Sequence, residues 1–143
     1  MPFTGSGPAL PALLGGHVDM MFDTMPTVWS LVQEGKLRAL GVTTSERVPF
    51  VPDIPAIAET LADYDVTSWL GIMVPRGTPA EIRSKIAGLI QGFLQDAAVV
   101  QRLRDLGAVA AKPNTPDEFT AAIHKDFEKW RRVIRDTGIK LSD

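Results

Sequence analysis

The stretch F-T-G-S-G-P-A-L-P-A-L-L-G-G-H-V-D-M-M-F-D, Phe3 to Asp23, decides how the rest of the chain is read. A glycine-rich turn, Gly5-Ser6-Gly7, leads into Pro8, whose fixed φ suits the first turn of a helix. Leu10, Leu13 and Leu14 then share one side, and Gly15-Gly16 closes the helix. The apolar run Val18-Asp19-Met20-Met21-Phe22 that follows predicts a buried strand ending at Asp23-Thr24. The chain therefore opens on a glycine-rich helix start, as though the strand that should precede it had been removed.

The same helix-to-strand return recurs downstream. Pro26 and Thr27 introduce a second helix with Val28, Leu31 and Val32 inward, and Gly35 stops it before a strand at Leu37–Thr43. Three prolines between Pro49 and Pro55 mark an extended connector, followed by a short helix around Ala56–Ala62 and a strand at Val66–Val74. Alternation of this kind predicts βαβ units on a parallel sheet. The later half is helical. Thr78-Pro79-Ala80-Glu81 and Thr115-Pro116-Asp117-Glu118 both read as capping boxes with Pro at the first helical position. The first opens a stripe of Ile82, Ile86, Leu89, Ile90, Phe93 and Leu94. The second opens a long helix with Phe119, Ile123, Phe127, Trp130 and Ile134 inward, ending at Gly138. Between them lie a helix from about Ala97 to Leu106, ended by Gly107, and a brief strand at Ala108–Ala111.

Composition narrows the function classes. With 143 residues, 45% hydrophobic and 22% charged, and a mean hydropathy of +0.05, the chain suits one soluble domain and neither a disordered segment nor a membrane protein. A net charge of −2 provides no field to gather nucleic acid, and no basic run or RNA-binding motif is present. Lack of cysteine removes disulfides, thiolate nucleophiles and Cys-ligated zinc. His17 and His124 are the only histidines, and neither stands at metal-ligand spacing, so no metal or cofactor is expected. No basic start followed by an apolar core marks an export signal in the chain as written.

Four places offer binding chemistry. The Gly5–Pro8 turn presents unpaired N–H groups at a helix N-terminus, able to cradle a carboxylate or phosphate without a basic side chain; spacing alone favours a tight turn that binds nothing. Asp23 and Thr24 stand at a strand's C-terminal end, where open α/β sheets place ligands, and Asp23 either accepts a hydrogen bond from a ligand hydroxyl or ammonium or caps the next helix. Thr43-Thr44-Ser45 repeats that position with neutral hydroxyls. Trp69 either walls a small-molecule site or packs in the core. No nucleophile, base and orienting acid converge, and Ser6 lacks a G-x-S-x-G elbow, so the chain is not expected to be an enzyme.

Together F-T-G-S-G-P-A-L-P-A-L-L-G-G-H-V-D-M-M-F-D, E-G-K-L-R-A-L-G-V-T, P-D-I-P-A-I-A-E and S-W-L-G-I-M-V-P-R-G-T-P resemble, in order, the Bug or TctC-like solute receptors of tripartite tricarboxylate transporters. The resemblance implies a periplasmic receptor of two α/β lobes, of the type II binding-protein class, closing on a small carboxylate. It implies further that this chain is similar to the C-terminal half alone. Residues 1–66 would be part of one ligand-binding lobe, 67–77 the hinge-crossing strand, and 78–143 helices belonging to the other lobe. The implied ligand residues are Thr4, Gly5, Ser6, Gly7, Asp23, Thr24 and Trp69, and the implied partners are a small organic acid and membrane transporter subunits. A half receptor exposes a cut sheet edge and the stripe Ile82, Ile86, Ile90, Phe93, Phe119, Phe127 and Trp130. At roughly 1.5–3 kcal/mol per fully buried side chain, that loss exceeds a normal net stability of ~5–15 kcal/mol. A homodimer or swapped assembly is therefore expected, with a scaffold that binds no ligand as the other reading.

Overall fold

The computed structural model of the chain describes residues 3–112 and 114–139. Its regular elements are the helices α1 (Ser6–Leu14), α2 (Met25–Gln33), α3 (Ala80–Gln95), α4 (Ala97–Asp105) and α5 (Pro116–Thr137), with a 3-10 turn at Ile57–Glu59 where a short helix was expected. Glycines end α1, α2, α4 and α5 as the sequence predicts, while α3 ends at Asp96. After α1, His17 N–H donates to Ala12 O at 2.8 Å and Gly16 N–H to Leu13 O at 3.1 Å, the paired bonds of a Schellman closure. The same pair recurs after α2 and after α4, where Gly107 N–H bonds Arg104 O and Ala108 N–H bonds Leu103 O, both at 2.8 Å.

The two proline-led helix starts differ from each other. At α5 the capping box forms: Thr115 Oγ1 accepts from Glu118 N–H at 3.2 Å and Glu118 Oε2 accepts from Thr115 N–H at 2.7 Å. At α3 the expected box does not form. Thr78 Oγ1 instead donates to Pro75 O at 2.8 Å, α3 begins at Ala80, and Pro79 becomes the cap residue. The cause is the preceding turn, in which Gly77 takes φ +91 and Thr78 N–H also bonds Pro75 O. A local turn competes with the cap for one hydroxyl and wins.

The parallel sheet expected from the sequence is absent among the described residues. Val18–Phe22, Val66–Val74 and Ala108–Ala111 form no ladder, and Leu37–Thr43 is reduced to one parallel bridge between Val42 and Ala56. Val42 N–H bonds Pro55 O, Ile57 N–H bonds Val42 O, and Val66 N–H bonds Thr43 O from the other side, so 55–57, 42–43 and 66 lie in the order of three neighbouring strands. Beyond that seam the run joins no ladder among the described residues, with Leu70 fully exposed and Ile72 67% exposed. Helix bonds close within four residues, whereas a parallel strand depends on a neighbour distant in sequence. The local preference for extended backbone survives without the sheet.

The chain divides into two compact units, Met1–Ile72 with Ala97–Ala110, and Met73–Asp96 with Ala111–Asp143. Residues 97–110, including α4, thus group with α1 and α2 and not with α3 and α5. In the first unit Ala9, Val48, Val51 and Ala56 are buried. Trp29 meets Phe50 edge-to-face at 6.2 Å, and Gly107 packs so tightly on α2 that an added Cβ would stand 2.9 Å from Trp29 Cβ. Arg47 fixes the proline-rich connector by donating to both carboxylate oxygens of Glu59 and to Pro52 O. In the second unit α3 and α5 touch, Gln91 Nε2 donates to Asn114 O at 2.6 Å, and neither helix buries a residue. The whole chain exposes 11399 Å², where two compact bodies dividing its mass would expose about 8,700 Å².

Candidate functional site

Ser6 and Asp23 meet where α1 and α2 begin. Gly5, the residue before α1, has φ +116, a conformation open to glycine and closed to most side chains, and no side chain caps the helix. Among the described residues no acceptor meets the backbone N–H of Gly5, Ser6 or Gly7. These groups, with the partial positive charge of the helix N-terminus, form a donor set suited to an anion.

Asp23 lies beside this set. Its Oδ1 accepts from Ser6 Oγ at 2.9 Å and from the backbone N–H of Thr24 at 2.7 Å. One carboxylate oxygen therefore joins the first residue of α1 to the cap residue of α2. Asp23 Oδ2 is buried and meets no hydrogen-bond donor among the described residues. Thr24 Oγ1 pairs with Thr27 Oγ1 at 2.7 Å, so its hydroxyl is turned along α2. Since Ser6 gives its one hydroxyl proton to Asp23, Ser6 Oγ is left with acceptor capacity only.

A concave space of about 410 Å³ adjoins this cluster, lined by Phe3, Gly5, Ser6, Ala9, Val18 and Met20 to Phe22. Of the residues expected at the site, Gly5 and Ser6 line this space, Asp23 and Thr24 support its edge through the bonds above, and Thr4 and Gly7 stand exposed at the start of α1. Trp69 is not among the lining residues; it is 41% exposed in the extended run after Val66. The apolar wall was not anticipated as a site. Val18–Phe22 was read as a buried strand, yet Met20 and Phe22 are 60% and 66% exposed. Their signal was the apolar run itself, which does not state whether it faces a core or a ligand.

Away from this space, Glu59 is the one strongly shifted carboxyl among the described residues. The Arg47 guanidinium, then the Ala56 N–H, hold it down to about 2. That pair belongs to the connector. Among the described residues no three His, Asp or Glu side chains converge on a metal-sized site, and no helix is long and apolar enough to cross a membrane.

Several known proteins are similar to this chain. The sequence is 35% identical over 142 residues to protein BugT of Bordetella pertussis, covering 99% of this chain and 43% of BugT. Its backbone superposes on a Rhodopseudomonas palustris protein solved with adipate at a TM-score of 0.87, with 31% identity, over 97% of this chain and 46% of that one. MatC of the same organism, solved with bound malate, gives a TM-score of 0.78 and 36% identity over 94% of this chain and 47% of MatC. The periplasmic binding protein BugD gives 0.82 and 30% over 98% of this chain and 48% of BugD. The chain thus spans just under half the length of each of these relatives. Residues 1–139 match the sequence model described as "Tripartite tricarboxylate transporter family receptor", TctC, and the chain belongs to that family.

Proposed function

We propose that the chain is a solute-binding module for a small organic acid, working outside the cytoplasm, in the periplasm, with the membrane subunits of a tripartite tricarboxylate-type transporter. The observation that carries this is the set of unbonded N–H groups at Gly5, Ser6 and Gly7 opening beside a 410 Å³ concavity. The ligand's carboxylate sits on these amides and Thr4. Asp23, with one oxygen saturated and the other without a donor, receives a ligand hydroxyl or ammonium. Thr24 holds Asp23 in place, and Trp69 contributes from the run after Val66. Adipate and malate in two relatives support the class of ligand. The unit boundary at Ile72–Met73 supports reading 67–77 as a hinge-crossing segment between a partial ligand lobe, 1–66, and helices of the other lobe within 78–143, although residues 97–110 of that stretch group with the first unit. The exposed apolar surface supports self-association as a homodimer or swapped assembly.

A thermal-shift series with adipate, malate and amino acids tests the binding. A ligand at a hundred times its dissociation constant stabilises the fold by ~2.7 kcal/mol, and Gly5→Ala, which strains the φ +116 turn, should remove that gain. A flat response to every acid would instead favour a folding or interaction unit that binds no ligand, the reading supported by the small core of four apolar side chains.

A further inference from the structure

Ser6 lines the space of about 410 Å³ beside the open amides of α1. A serine hydroxyl has one proton to give and two lone pairs to offer. That proton is already committed, because Ser6 Oγ donates to Asp23 Oδ1 at 2.9 Å, across 17 residues of chain. The commitment is held from the other side: the same Oδ1 accepts from Thr24 N–H at 2.7 Å, which keeps the carboxylate from turning away. Among the described residues nothing donates to Ser6 Oγ in return. Ser6 therefore meets the space as an acceptor, next to backbone groups that are all donors.

Such a mixed set discriminates between ligands that a helix N-terminus alone would treat alike. A carboxylate has acceptors only, so it satisfies the amides of Gly5, Ser6 and Gly7 and is repelled by the lone pairs of Ser6 Oγ. The ligand atom that rests on Ser6 Oγ must bring its own hydrogen. Because the Ser6 N–H and Oγ belong to one residue, that donor and the carboxylate must stand as close as two groups on adjacent carbons. Charge points the same way. None of the residues lining the space carries a positive side chain, the charged neighbour is Asp23, and its Oδ2 is buried without a donor among the described residues. A hydroxyl or an ammonium fits these surroundings, whereas a bare methylene leaves Ser6 Oγ desolvated and unpaired. Phe3, Val18, Met20 and Phe22 supply an apolar wall for the ligand's carbon frame.

We infer that Ser6, oriented by Asp23, selects carboxylic acids that carry a hydroxyl or amino group on the carbon next to the carboxyl, over acids with a bare methylene there. This rests on the solute-binding reading above and narrows its ligand class. Succinate, malate and aspartate share a carbon frame and differ at that one carbon, so calorimetry with these three isolates the contact. Malate, aspartate or both should bind the unmodified chain at least about tenfold more tightly than succinate, the two arms separating hydroxyl from ammonium. Ser6→Ala keeps the amides and removes the acceptor, so the preference should fall below about twofold while helix content by circular dichroism stays unchanged. Asp23→Ala frees the Ser6 proton for the ligand and should raise succinate affinity relative to the other two, a reversal that mere loosening of the turn would not produce. Equal binding of the three acids by the unmodified chain, or a preference that Ser6→Ala leaves intact, would overturn the selection and leave the binding reading standing. Failure of all three to bind would also overturn the selection, and a flat thermal-shift series in addition would overturn the binding reading with it.

Discussion

The two units solve the same problem with different means. The first, containing α1, α2 and α4, has side-chain contacts between segments far apart in sequence: Trp29 on Phe50, Gly107 on Trp29, Arg47 on Glu59 and Ser6 on Asp23. The second has longer, better-formed helices, 16 and 22 residues, and buries nothing within either. The contrast teaches that helix formation and core formation are separate achievements. Local hydrogen bonds, caps and dipole complementarity suffice for α3 and α5, while a core requires surfaces that arrive from elsewhere in the chain or from another chain.

One substitution type breaks this contrast most sharply, because its sign should reverse between the units. Gly107→Ala places a methyl 2.9 Å from Trp29 Cβ at a residue with φ +78; the strain and the overlap together should cost about 3 kcal/mol, read as a lower denaturant midpoint of tryptophan fluorescence. The matching change in the second unit, Gly88→Ala in mid-α3, meets open space and should raise helix stability by about 0.8 kcal/mol, read as slower amide exchange along α3.

The two helix starts sharpen the comparison at smaller scale. Thr115→Ala removes a formed cap and should destabilise α5 by about 1 kcal/mol. Thr78→Ala removes only a bond within the Pro75–Thr78 turn and should change α3 by less than about 0.5 kcal/mol. Equal effects at both sites would mean that the same four-residue signature acts alike in both, against the geometry found here. Smallest is the acid response of the first unit. Glu59 is held down from 4.5 to about 2 by Arg47 and the Ala56 N–H, so its contribution is complete above pH 4.5 and is lost as the pH falls toward 2. Nuclear magnetic resonance titration of the Glu59 carboxyl should show this low midpoint, and Glu59→Gln should remove the corresponding slope from the melting temperature between those pH values. As an exposed pair it moves stability only slightly.

Much of the candidate site was legible in the residues. Gly5-Ser6-Gly7-Pro8 announced a helix start with bare amides, and Asp23-Thr24 a polar turn beside the next helix. Their junction was not legible. Nothing in the spacing of 17 residues says that Ser6 Oγ will reach Asp23 or that one oxygen of that carboxylate will serve two helices. Trp69 shows the opposite limit: its residue type suggested a wall, but a type carries no direction. The Arg47–Glu59 pair went unnoticed because charges in a proline-rich connector look alike until the connector folds back on itself.

The helices α1 to α5 were written in the sequence, with glycines ending all of them but α3, because a helix satisfies its own backbone within four residues and its signals are read locally. The extended preference of 37–43 and 66–74 was written there too. Whether those segments become a sheet, which of two threonines caps its helix, and which apolar faces stay open were decided only by tertiary structure. Each depends on an atom supplied from a distance: a neighbouring strand, the carbonyl of Pro75, or a surface to cover Phe93 and Phe127.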